Sequence, residues 1–96
     1  MEMNTENNEV MDILQEEAAE VIQAVSKIRR FGMDNGKAGT DQTNKQHLEE
    51  ELGDMLAMID ILMLNDVVSW SNLQRAKRAK IEKLKKWSSI PNLDKI

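Results

Sequence analysis

The chain has no cysteine and no tyrosine, one phenylalanine, one histidine and one proline among its 96 residues. Without cysteine there is no disulfide framework and no thiolate metal site. A single His47 cannot build a multi-histidine metal centre within one chain. The lone proline, Pro91, lies near the end, so helices before it meet no obstruction. No apolar run approaches the roughly 20 residues that span a bilayer, and the opening "MEMNTENNEV" lacks the basic and apolar regions of a secretion signal. The expectation is a cytoplasmic protein with no membrane partner. Aromatics make up 3% of the chain against seven methionines, which points to aliphatic, pliable packing.

What is present is charge, and it is segregated. Positions 1–20 carry seven acidic residues and no basic one, whereas "RAKRAKIEKLKK" at 75–86 carries seven basic residues and one acidic. The net charge of −4 argues against a nucleic-acid partner for that basic segment. The length fits one small domain, residues 1–96, which by itself buries a modest share of its surface.

The periodicity is helical throughout. Val10, Leu14, Ala18, Val21, Val25 and Ile28 recur at helical spacing from about Thr5 to Phe31, and Gly32 is the stop signal. Residues 32–44, "GMDNGKAGTDQTN", hold three of the four glycines and read as a loop, long enough to be functional or mobile. A second helix begins at Thr43 or Asn44, where "TNKQ" matches a capping box, and runs through "HLEEELGDMLAMIDILMLNDVV". Met58 and Ile61 lie on a different side from Leu52, Leu56 and Ile59, so this helix needs cover on more than one face. A third helix is predicted from a Ser71–Gln74 capping box to about Trp87, with a thin apolar stripe of Leu73, Ala76, Ile81, Leu84 and Trp87. The expected fold is all-α, a bundle of three main helices completed by oligomerisation.

Two carboxylate pairs break the pattern. On a helical wheel Glu17 falls roughly 50° from the mean apolar direction of the first helix, so it should be at least half buried, with Glu20 at the edge of that face and Glu16 further out. The second helix repeats this: Glu51 lies beside the Leu52, Met55 and Leu62 face, with Asp54 on the same flank. Antiparallel packing would let Glu17, Glu20, Glu51 and Asp54 converge. Carboxylates gathered near a core need a counter-charge, either Lys and Arg or a hard divalent cation such as Mg²⁺. Trp70 and Trp87 read as packing anchors and His47 as an exposed bystander, while periodicity assigns Asp60 no role.

"EEAAE" at 16–20 followed by "EELGD" at 50–54 resembles the all-α nucleoside triphosphate pyrophosphohydrolases of the MazG type, whose signature is ExxE followed by ExxD. "KIRRFG", "EELGDMLAMIDIL" and the terminal "KLKKW" are similar to short, phage-type members. The resemblance spans roughly residues 10–88. It implies a dimeric or tetrameric helical enzyme that uses Mg²⁺, with Mn²⁺ as a substitute, to hydrolyse (d)NTPs to monophosphate and pyrophosphate. Carried over, the metal ligands are Glu17, Glu20, Glu51 and Asp54, and Glu16 and Glu50 are the acids that orient water. Lys27, Arg30, Lys77, Lys80 and Lys83 are candidates for the triphosphate, some from a neighbouring subunit. Two rivals stand beside this reading: phosphoribosyl-ATP pyrophosphohydrolase of the same fold, and a non-enzymatic helical partner protein whose acidic cluster is neutralised by basic side chains.

Overall fold

A computed structural model of the chain describes residues 4–36 and 38–96. Three helices account for most of it: α1 Thr5–Phe31, α2 Asn44–Leu64 and α3 Trp70–Trp87, followed by the short 3₁₀ helix η1 Leu93–Lys95. No strand occurs among the described residues; Gly36 and Thr43 form an isolated antiparallel bridge.

Each helix starts where a side chain can satisfy free backbone N–H groups. Asn4 accepts from the Asn7 N–H at 2.8 Å to begin α1. Thr43 accepts from the Gln46 N–H at 3.1 Å while Gln46 Oε1 accepts from the Thr43 N–H at 2.9 Å, the reciprocal capping box expected for α2. The third helix departs from expectation: its cap is Ser69, which accepts from the Asn72 N–H at 3.1 Å, so Trp70 is already helical. The second helix also stops earlier than its apolar run suggests. Asp66 takes a left-handed φ of 59°, and the N–H groups of Val67 and Val68 turn back to the Leu62 carbonyl.

α1 and α2 pack antiparallel along their length. Amide side chains tie both ends of this hairpin. Asn65 Nδ2 donates to Asn7 Oδ1 at 3.0 Å, joining the end of α2 to the start of α1. At the other end Asn44 Nδ2 donates to the Gly32 carbonyl at 2.9 Å and the Lys45 N–H to the Met33 carbonyl at 3.0 Å. Both asparagines of these clamps that face inward, Asn7 and Asn44, are buried. Ala24 on α1 is fully buried, and Met58 and Leu62 are the buried apolar side chains of α2.

α3 packs on η1 and has no comparable contact with the hairpin. The consequence is an open, flat molecule of 44 × 37 × 17 Å with a radius of gyration of 16.4 Å, against about 12.5 Å for a compact chain of this length. Ile22, Leu56, Leu64, Trp70 and Trp87 are all more than half exposed. Trp70 and Trp87 are therefore not packing anchors within one chain. The reason is architectural: α3 packs on the short η1 rather than on the hairpin, and both rings stay exposed.

Candidate metal and nucleotide site

The antiparallel hairpin sets the middle of α1 against the middle of α2, and this decides where the acidic residues meet. Glu17, Glu51 and Asp54 each offer a carboxylate oxygen, and these oxygens lie within 4.8 Å of one another. Glu51 is buried, Glu17 half-buried and Asp54 exposed, so the cluster grades from the interhelical floor to solvent. Partial burial raises the Glu17 carboxyl above its ordinary 4.5, and the charges of Asp54, Glu51, Glu20 and Glu16 add to the rise in that order. Glu20 is half-buried one turn beyond Glu17; it lies outside the 4.8 Å group, although its charge acts on Glu17.

The question raised by the sequence was what neutralises these acids. Among the described residues no lysine or arginine forms an ion pair with any of them; the one basic neighbour is His47, whose Nε2 stands 3.8 Å from Glu51 Oε1. His47 is thus half-buried at the edge of the cluster rather than an exposed bystander, and its i, i+4 spacing to Glu51 was the signal for that pairing. Three carboxylate oxygens, one raised carboxyl and no cationic side chain make a donor set that suits a hard divalent cation.

Glu16 and Glu50 are exposed, each preceding one residue of the cluster. Glu50 is held: its Oε2 accepts from Gln42 Nε2 at 2.7 Å, so the loop before α2 fixes a carboxylate beside the cluster. Lys27 is exposed on α1 and lines a cavity between the end of α1, the loop and the start of α2. The Arg30 guanidinium stands 4.8 Å from the centroid of the Phe31 ring. Lys77, Lys80 and Lys83 are exposed on α3, on the element that stays away from the hairpin, so within one chain they do not join the acidic cluster. Asp60 is exposed and stands outside the cluster. No helix is long and apolar enough to cross a membrane among the described residues.

A family model described as MazG nucleotide pyrophosphohydrolase domain matches residues 5–86, which takes in all three helices and both carboxylate pairs. Neither the comparison with curated proteins nor that with solved structures returns a match.

Proposed function

The chain belongs to the MazG nucleotide pyrophosphohydrolase domain family, and from that membership we propose that it hydrolyses nucleoside triphosphates to the monophosphate and pyrophosphate in a Mg²⁺-dependent reaction. The observation that carries this reading is the convergence of Glu17, Glu51 and Asp54 without a lysine or arginine partner. When bound, Mg²⁺, or Mn²⁺ in its place, supplies neutralisation of triphosphate charge and activation of a water nucleophile.

The side chains divide the remaining work. Glu17, Glu51 and Asp54 hold the cation, and Glu20, one turn along α1, completes the acidic wall. Glu50, fixed by Gln42, orients the attacking water and takes its proton, with Glu16 in the equivalent position on α1. Lys27 and Arg30 extend the site with positive charge toward the end of α1, where the substrate's phosphates need it. Lys77, Lys80 and Lys83 serve the triphosphate of a second copy, because α3 does not lie on its own hairpin. Self-association is part of the proposal: the exposed apolar side chains of α1, α2 and α3 are what a second copy covers.

The test is pyrophosphate release from a panel of dNTPs and NTPs, with Mg²⁺ and with EDTA. Metal-dependent release with a monophosphate co-product supports the assignment. A folded protein that releases pyrophosphate from no triphosphate at millimolar Mg²⁺ refutes it.

A further inference from the structure

Glu16 and Glu50 hold matching places in the chain. Each stands one residue before a member of the acidic cluster, and both are exposed and outside the group of oxygens within 4.8 Å. By position alone either could hold a water against the site. The structure separates them. Glu50 Oε2 accepts from Gln42 Nε2 at 2.7 Å, the length of a charge-assisted bond, whereas no described residue donates to Glu16.

The difference matters because a glutamate without partners spreads over many rotamers. The Glu16 carboxylate therefore visits any one water-holding geometry for only part of the time, while Glu50 is kept in place. Only one of its oxygens is used: no described residue donates to Oε1, which is left for a water. The donor is also neutral. A carboxamide fixes a carboxylate without cancelling its charge, as a lysine in the same place would.

Gln42 can do this because its own backbone is held. Twelve residues separate α1 from α2, and Gln42 stands immediately before Thr43, the cap of α2. Thr43 is pinned by its capping box and forms the antiparallel bridge with Gly36, and next to it the Asn44 N–H donates to the Asn35 carbonyl. Gly36 lies flush against Gln42: a Cβ at Gly36 would fall 1.9 Å from the Gln42 carbonyl oxygen. The two ends of the loop close on one another, and the Gln42 side chain starts from a fixed point.

We propose that Gln42 is a positioning residue that makes Glu50, rather than Glu16, the carboxylate that orients the attacking water, and that Gly36 sets the place from which Gln42 acts. The inference rests on the hydrolytic reading above and breaks the tie which that reading left between the two acids. The loop contributes to turnover through one hydrogen bond.

The deciding experiment measures kcat and KM for pyrophosphate release at saturating Mg²⁺ in single and double variants, each with its helical content checked by circular dichroism. Glu50→Ala should lower kcat about a hundredfold, at least about tenfold more than Glu16→Ala. Gln42→Ala and Gln42→Glu, the second nearly the same shape but without the donor, should each lower kcat about tenfold and leave KM within about twofold. Gly36→Ala should match them, because it displaces the Gln42 carbonyl. In the Glu50→Ala chain, Gln42→Ala should cost nothing further. A Gln42 that merely braces the loop would lower kcat by the same factor with or without Glu50, and that result would overturn the assignment. Wild-type kcat in Gln42→Ala would overturn it too, as would a loss in Glu16→Ala as large as that in Glu50→Ala. A wild type that hydrolyses no triphosphate fails the enzymatic reading itself, and the positioning role falls with it.

Discussion

Dilution is the perturbation to which this chain should be most sensitive. It exposes 7745 Å² at a mass of 11.0 kDa, whereas a compact monomer of that mass exposes about 5,600 Å². The surplus of about 2,100 Å² per chain, doubled for two chains, falls in the range of obligate interfaces, about 2,000–5,000 Å². Much of it is apolar: Leu64 is 80% exposed and Ile22 70%. If folding and association are one step, each tenfold dilution removes about 1.4 kcal/mol from the assembled state. Spread over the unfolding entropy of two chains, that lowers Tm by about 3 °C per decade of concentration. Differential scanning fluorimetry or calorimetry across three decades would read it, with sedimentation equilibrium giving the mass. Leu56→Arg, at a position 61% exposed in the single chain, should abolish the concentration dependence and lower Tm at high concentration. A species of 11.0 kDa at every concentration, with a constant Tm, would refute the reasoning.

Other outcomes follow from the site and the caps. Glu17→Gln and Asp54→Asn should each reduce turnover by about a hundredfold or more with circular dichroism unchanged, and wild-type turnover in either variant would remove the cluster from the mechanism. Because the folded Glu17 carboxyl lies above its ordinary 4.5, the folded state holds that proton more tightly than the unfolded chain. Metal-free stability from this group is therefore full below 4.5 and falls as pH rises through the folded value, and Glu17→Gln should flatten that fall in thermal melts with EDTA. Thr43→Ala removes the capping box of α2 and should cost about 1 kcal/mol, which denaturant titration would measure as a lower midpoint with an unchanged m-value.

Much of this architecture could be read from residue order because the signals were local. Apolar spacing delimited α1, Gly32 ended it, and Thr43 with Gln46 fixed the start of α2. The misreadings came where two local signals competed or where the answer lay elsewhere in the molecule. Ser69 and Ser71 are both competent caps two residues apart, and the chain uses Ser69. Val67 and Val68 continue an apolar run that the left-handed Asp66 interrupts without any glycine to announce it. Trp70 and Trp87 could not be placed from periodicity, which reports that a face is apolar and not which chain covers it. At the site, helical phase was expected to bring Glu17, Glu20, Glu51 and Asp54 together; the structure groups Glu17, Glu51 and Asp54 and leaves Glu20 outside. The pairing of His47 with Glu51 was legible in their i, i+4 spacing on α2, whereas the clasp of Gln42 on Glu50 needed the loop's path, which no spacing rule supplies.

The amide clamps at the two ends of the hairpin act as a vernier. Asn65 on Asn7 and Asn44 on Gly32 sit at opposite extremes of α1 and α2, so sliding one helix past the other by a single residue, about 1.5 Å, breaks both at once. The acidic side chains midway between them thus cannot relieve their mutual repulsion by a shift of register. Sliding is thus a route of relief that the hairpin closes, and the two neutral contacts that close it lie far from the acids they constrain.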